Sequence, residues 1–371
     1  MNRAMNFSAG PAALPLAALV RAQSELVDFD HSGMSIMEQS HRGKVYENVH
    51  HEAITLVSEL LELPKDYEVL FVQGGASTAF AQIAMNFLEA GKTADYVVNG
   101  SWGEKAVNEG RAMVNVSGGT IHVAASTKKD KNYVRVPRQD ELTLTSDAAY
   151  VHITSNETIH GVEFAVTERT PFPKVSAPLV CDMSSDILGR RIDVTPFDFI
   201  YAGAQKNIGP SGVTIIVAKK SMLDRGRKDL PAVLQYRVHA ENKSLYNTPP
   251  TFGVYLVRNT LAWLKAEGGV AWVEKRNRDK ARVLYDVIDN SGGFYRCPVE
   301  PDSRSIMNVV WRLPTPELEE AFVKETTHAR MIGLKGHRSV GGIRASIYNA
   351  VEPEGVAALA SFMKDFAARH G

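Results

Sequence analysis

Between residues 40 and 220 the chain switches repeatedly between a helical and a strand-like hydrophobic period, and this alternation constrains the fold more than any other feature. "KVYENVHHEAITLVSELLEL" (44–63) sets Val45, Val49, Ala53, Leu56 and Leu60 on one helical stripe, and "YEVLFVQ" (67–73) follows as a strand. "ADYVVN" (94–99), "AAYVHIT" (148–154) and "APLVCD" (177–182) are further strand candidates, with helical runs near 78–90 and 102–113. Two more strands, "FDFIYAGA" and "GVTIIVA", flank the turn "GPSG". Strands alternating with helices predict an α/β layer around a mostly parallel sheet, because a parallel neighbour is reached only through a crossover, and crossover helices cover the faces.

The pattern changes near residues 260–270, where a domain boundary is expected. "LAWLKAEGGVAWVEKRNRDKARVLYDVIDN" (261–290) predicts one or two long amphipathic helices. Short strands such as "MNVVWRL" then alternate with "PELEEAFVKETTHARM" and a closing helix, "PEGVAALASFMKDFAARH". A chain of 371 residues suits one large and one smaller domain rather than a single core.

Acidic and basic residues balance at 42 each, which gives no argument for nucleic acid or a membrane surface and leaves a small molecule as the expected partner. Two cysteines, Cys181 and Cys297, exclude a disulfide framework and suit a reducing cytoplasm, and neither has zinc-site spacing, so no metal is expected. The longest uncharged stretch (69–88) is broken by Gly-Gly, Ser-Thr, Gln and Asn and fails as a membrane span. The first twenty residues loosely imitate a signal peptide, but two prolines interrupt the apolar part. The expectation is a cytoplasmic protein with its N-terminus retained.

In open α/β sheets, sites gather at the carboxyl ends of strands, and the polar residues there admit two readings each. Lys206, at the end of "FDFIYAGAQK", is either a snorkelling lysine or a Schiff-base lysine tuned by a confined site. Asp182, after "APLVC", either caps a turn or keeps a pyridinium nitrogen protonated, the partner that a pyridoxal phosphate lysine requires. "GGAST" (74–78), between a strand and a helix, is a tight turn or a phosphate cradle. It has neither the spaced dinucleotide glycines nor a phosphate-loop Gly-Lys-Ser/Thr, which disfavours a nucleotide. Trp102 is a core residue or a flat face for a ring. Two glycine-associated His-Arg pairs, in "SHRGK" (40–44) and "GHRSVGGIR" (336–344), fit a substrate carrying both a phosphate and a carboxylate.

"NFSAGPAALP", "SHRGK", "TSNETIHG", "YAGAQKNIGPSG", "YNTPPTF" and "GHRSVGGIRASIYNA" occur in this order from residue 6 to 350. As a set they closely resemble the phosphoserine aminotransferases, class V pyridoxal phosphate enzymes of fold type I, the aspartate aminotransferase-like fold. The resemblance implies a large cofactor domain (16–265), a small C-terminal α+β domain (266–371) with residues 1–15 packing on it, and a homodimer with shared active sites. It implies pyridoxal 5'-phosphate on Lys206 as a Schiff base, Asp182 at the pyridine nitrogen, Trp102 stacked on the ring and Thr158 at the phenolic oxygen. The cofactor phosphate would meet Ala76, Ser77, Ser184 and Gln205, with Asn247 and Thr248 reaching over from a second subunit. Some relatives carry Gly-Arg where this chain has Ala76-Ser77, but backbone donors survive that change. His41 and Arg42 of the partner subunit, with His337 and Arg338, would hold the substrate phosphate, and Arg344 the α-carboxylate. The implied reaction moves an amino group between L-glutamate and 3-phosphohydroxypyruvate. In bacteria the family also acts on the phosphorylated hydroxythreonine of pyridoxine synthesis. Rival readings are a different small-substrate transaminase, a cysteine desulfurase, which needs a cysteine on a mobile loop, and a non-catalytic binder of phosphorylated metabolites, which has no use for the Lys206 and Asp182 pair.

Overall fold

The computed structural model describes residues 3–130 and 132–371. Its centre is a seven-stranded sheet of β1 (Tyr67–Gly74), β2 (Thr93–Val98), β3 (Thr120–Ser126), β4 (Tyr150–Thr154), β5 (Leu179–Asp182), β6 (Phe199–Gly203) and β7 (Gly212–Lys219). The strands lie in the order β1-β7-β6-β5-β4-β2-β3. All run one way except β7, which is antiparallel to both β1 and β6. The short turn after β6 allows that reversal, whereas the parallel pairs are joined by longer crossovers. Every residue of β4, β5 and β6 is buried, which explains why they appear in the sequence as continuous apolar runs.

Four helices precede or follow these strands: α1 (Leu16–Ser24), α2 (Lys44–Leu60), α3 (Ala76–Phe87) and α4 (Ser101–Ser117). α2 buries Val49, Ala53, Leu56 and Val57, much of the stripe expected from its spacing. The long amphipathic stretch resolves into two helices, α5 (Thr251–Ala266) and α6 (Gly269–Asp289). They part at Gly268, the cap before α6, whose φ of 116° no helix accommodates. Strand β3 has no counterpart among the sequence expectations. It is one of the two edge strands and stays mostly half-exposed, so it carries no apolar run to detect.

A second core forms around the antiparallel pair β8 (Asn308–Trp311) and β9 (Ile343–Ser346), covered by α6, α7 (Pro316–His328) and α8 (Pro353–His370). Leu284, Ile288, Trp311, Phe322, Met363 and Phe366 fill it, together with Phe7 from the chain start. Met5 and Asn6 pair in parallel with Met331 and Ile332. α6 spans both cores, giving Val270 and Val273 to the first and Leu284 and Ile288 to the second. Among the described residues no helix is long and apolar enough to cross a membrane.

A buried ionic cluster joins the two cores. Arg190 Nε donates to Glu163 Oε1 at 2.9 Å, and its Nη2 lies 3.6 Å from Asp186 Oδ2. Its remaining donors reach the carbonyls of Phe164 and Ala165, at 2.7 and 3.0 Å. Glu163 Oε2 accepts the Ile306 amide at 2.8 Å, just before β8. Removing the guanidinium leaves two carboxylates in the interior with no counter-charge, so Arg190→Ala is expected to cost about 3–5 kcal/mol of stability. Urea denaturation checks this, and a wild-type midpoint would contradict it.

Candidate active site

Because six strands share one direction, their carboxyl ends open on one edge of the sheet, and the chemistry-bearing residues collect there. Asp182 ends β5, Lys206 follows β6, Thr158 follows β4, Trp102 lies in the first turn of α4 after β2, and α3 begins just past β1. Half-buried Lys206 donates from Nζ to Thr158 Oγ1 at 2.7 Å and stands 5.0 Å from the Trp102 ring centroid. Burial pushes its ammonium pKa down, while the Asp182 and Glu157 carboxylates pull it up. Burial raises the Asp182 pKa, opposed by the charge of Lys206 and by two hydrogen bonds from Ser184. Those bonds bring Ser184 N to 2.8 Å and Ser184 Oγ to 2.6 Å from Asp182 Oδ1.

The Ser184 hydroxyl also accepts the Gly203 amide at 3.0 Å. Its single proton therefore goes to Asp182, and toward a phosphate it has only a lone pair to offer. In this structure the Ser184 hydroxyl thus joins Asp182 to the Gly203 amide.

The N-terminus of α3 is left open. Its cap, Gly75, has no side chain and its first turn has no acidic residue, so the amides near Ala76 and Ser77 present the positive end of the helix dipole. Gly74 is required where β1 turns into that helix: its φ is 110°, and a Cβ would stand 2.6 Å from Thr78 Oγ1. The N-terminus of α4 is instead closed by Glu157, whose Oε2 and Oε1 accept the amides of Trp102 and Gly103 at 3.1 and 2.7 Å. Burial lifts the Glu157 pKa to about 7 despite these bonds.

Cations gather on the side of the second core. Arg344, on β9, donates from Nη1 to the Thr158 carbonyl at 3.3 Å, and burial lowers its pKa. His337 pairs through Nδ1 with Ser339 Oγ at 2.7 Å, and Arg338 is exposed. Burial, then the charges of Arg344, Lys105 and Arg338, lower the His337 pKa. Three buried polar atoms here, Trp102 Nε1, Gln205 Oε1 and Arg344 Nε, have no hydrogen-bond partner among the described residues.

His41, Arg42, Asn247 and Thr248 form a separate group. Glu52 pairs with Arg258 at 3.3 Å and Glu59 with Lys265 at 2.6 Å, so equal steps along α2 and α5 match and the helices run parallel. Their starts, preceded by His41-Arg42 and by Asn247-Thr248, therefore lie at the same end. The Thr248 carbonyl accepts Gln73 Nε2 at 2.6 Å, which sets that end beside the carboxyl end of β1. Arg42 is exposed, and the His41 Nε2 atom is buried without a partner among the described residues.

Two residues of the site escape sequence reasoning. Glu157 acts on a helix that begins far from it in sequence, so no local pattern announces it. Lys105 is exposed with Nζ 4.0 Å from the Trp102 ring centroid, and its spacing of one helical turn from Trp102 is the signal that finds it.

The Aminotransferase class-V family model matches residues 4–359, and the chain belongs to that family. It is 53% identical over 370 residues to the phosphoserine aminotransferase of Niallia circulans, covering 100% of this chain and 99% of that one. It is also 53% identical over 366 residues to the phosphoserine aminotransferase of Bacillus subtilis, with 99% of both chains covered. The solved phosphoserine aminotransferase from Bacillus circulans subsp. alkalophilus superposes with a TM-score of 0.94 at 53% identity, covering 100% of this chain and 99% of that one. A pyridoxal phosphate-bound phosphoserine aminotransferase from Trichomonas vaginalis superposes with a TM-score of 0.92 at 39% identity, covering 98% of this chain and all of that one.

Glu157 makes stability depend on pH in a known direction. Its carboxyl holds a proton in the fold up to about pH 7 but loses it in the unfolded chain near 4.5, so its stabilising contribution is complete below the lower value and gone above the higher. Glu157→Gln is expected to flatten the fall in urea midpoint between about pH 5 and about pH 7.5. An unchanged slope would show that Glu157 ionises normally.

Proposed function

We infer that this chain catalyses the phosphoserine aminotransferase reaction, the reversible, pyridoxal phosphate-dependent transfer of an amino group between L-glutamate and 3-phosphohydroxypyruvate that yields O-phospho-L-serine and 2-oxoglutarate in serine synthesis. The observation that carries this reading is the arrival of Lys206 and Asp182 at adjacent strand ends, with the Lys206 amine between the Trp102 ring and the Thr158 hydroxyl. The residues fit the cofactor: an amine, a buried carboxylate, a flat aromatic face, an open helix N-terminus and unpartnered polar atoms on Trp102, Gln205 and Arg344.

Pyridoxal phosphate, when bound, supplies a carbon that an amine can join and a protonated ring that takes up an electron pair. In this reading Lys206 would hold the cofactor covalently, and its free amine would move the proton at the substrate Cα. Asp182, oriented by Ser184, holds the proton on the ring nitrogen; a cation there favours the ionised carboxylate that burial alone disfavours. Trp102 covers the ring, Thr158 bonds its phenolic oxygen, and the α3 amides with Gln205 hold its phosphate. Arg344 takes the α-carboxylate, while His337 and Arg338 take the distal anion, phosphate or carboxylate, with charge-assisted bonds.

The same proposal makes the enzyme a homodimer in which the His41-Arg42 and Asn247-Thr248 group completes the partner's site. The support is an apolar surface next to that group: Leu16, Val20, Leu26, Met34 and Met37 are exposed, Val27 is 82% exposed, and Tyr246 lies beside Asn247. A monomer leaves such a patch uncovered, and a second copy of the chain buries it. Two free cysteines suit a cytoplasmic location. A desulfurase reading finds no support, since Cys181 is buried in β5 and burial raises both thiol pKa values.

Lys206→Ala is expected to keep the fold and bind the cofactor without a covalent bond while losing at least about 100-fold in turnover. Borohydride should fix the cofactor to Lys206 in the wild type only, and near-normal turnover in the variant would contradict the assignment. Arg42→Ala should cost ~2 kcal/mol in substrate binding. Mixed with Lys206→Ala and allowed to exchange subunits, it should regain activity, because one heterodimer site carries neither lesion. Demonstrated exchange with no recovery would mean that Arg42 serves its own chain.

A further inference from the structure

We propose that Asn349 is a positioning residue for this reaction, setting the spacing between Lys206 and Arg344; the inference rests on the roles given to those two residues above. Behind the lysine, three consecutive carbonyls, those of Ile187, Leu188 and Gly189, each receive an amide N–H from a different asparagine side chain. Asn207 Nδ2 reaches Ile187 O at 2.6 Å, Asn349 Nδ2 reaches Leu188 O at 2.9 Å, and Asn277 Nδ2 reaches Gly189 O at 2.8 Å. The carbonyls lie on the segment leaving β5 after Asp182. Asn207 directly follows Lys206, Asn277 lies on α6, and Asn349 continues the chain that leaves β9 after Arg344.

The asparagines are also tied to one another. The Asn349 backbone N–H donates to Asn207 Oδ1 at 2.9 Å, and Asn277 Nδ2 donates to Asn349 Oδ1 at 2.8 Å. Lys280 secures the residues around Asn349 by giving Nζ protons to the carbonyls of Ile347, Tyr348 and Val351 at 2.9, 2.8 and 3.0 Å. All four side chains are buried.

Apolar side chains of similar size would hold these segments together without imposing a direction, whereas hydrogen bonds fix both distance and angle. The Asn349 side chain ties the chain leaving the Arg344 strand to Leu188 O and to Asn277 on α6, while its backbone N–H reaches Asn207 beside the lysine; Asn349→Ala removes the two side-chain ties. An amino-acid substrate must put its Cα within reach of Lys206 while its α-carboxylate rests on Arg344. An error in that spacing reduces rate through misalignment, independently of folding.

The test is a double-mutant cycle on the holoenzyme: wild type, Asn349→Ala, Arg344→Lys and the double variant, assayed with L-glutamate and with O-phospho-L-serine. Asn349→Ala is expected to lower kcat/KM for both amino donors on the order of 10- to 100-fold. The double variant should be no more than about twofold worse than Arg344→Lys alone, because the anchor being aimed is already displaced. Equal losses in both backgrounds, or a lower urea midpoint with unchanged kcat/KM, would overturn the proposal and make Asn349 structural. If Asn349→Ala yields no folded holoenzyme, Asn207→Ala, which removes the acceptor of the Asn349 backbone N–H, enters the same cycle under the same criteria. An unimpaired Arg344→Lys enzyme would overturn the role of Arg344 and the inference with it, whereas additive losses overturn the inference alone.

Discussion

The common direction of six strands is the constraint on which the rest of the molecule depends. Parallel pairing sends every β-to-α connection out of the same edge, so residues distant in sequence arrive there together without a dedicated scaffold. The one reversed strand, β7, keeps the arrangement intact, because the turn that leads into it leaves β6 at that same edge and carries Lys206. The chain start also closes on this turn: Ala12 N donates to Gln205 O at 2.9 Å. Gly10, with φ 141°, lies so near that a Cβ would stand 3.2 Å from Lys206 Cγ. A side chain at residue 10 would press on the lysine.

Buried carboxylates near this edge are separated by what neutralises them. Glu157 closes a helix N-terminus through two amides. Asp186 accepts the Ser155 hydroxyl at 2.5 Å and shares Arg190 with Glu163, so a counter-charge already occupies it. Asp182 has Ser184 on one oxygen and no arginine beside it, and the nearby Lys206 charge is what opposes its burial. Three acidic residues near one end of the sheet therefore have three different electrostatic situations.

The second core adds basic residues beside the carboxyl ends of the strands. Its strand β9 brings Arg344 to the Thr158 carbonyl, and the loop before it brings His337 and Arg338. The asparagine and lysine hydrogen bonds behind Lys206 make the junction directional, and α6 packs into both cores. Lys206 and Asp182 thus come from the sheet and Arg344 from the second core.

The sequence by itself determined the elements with strong local signals. Buried strands β1, β2 and β4 to β7 stand as apolar runs, α2 as a stripe, and Lys206 and Asp182 as polar residues ending such runs. These are legible because a period or a misplaced charge is a local property of the chain. Only the tertiary structure decided the rest. The edge strand β3 is half-exposed and has no pattern, Glu157 caps a helix that starts far from it in sequence, and Ser184 turns its proton to Asp182. The three asparagines converge on carbonyls from separate segments. A hydrogen bond between distant segments leaves no periodic trace in either one, because its partner is chosen by the packing of whole elements and not by neighbours along the chain.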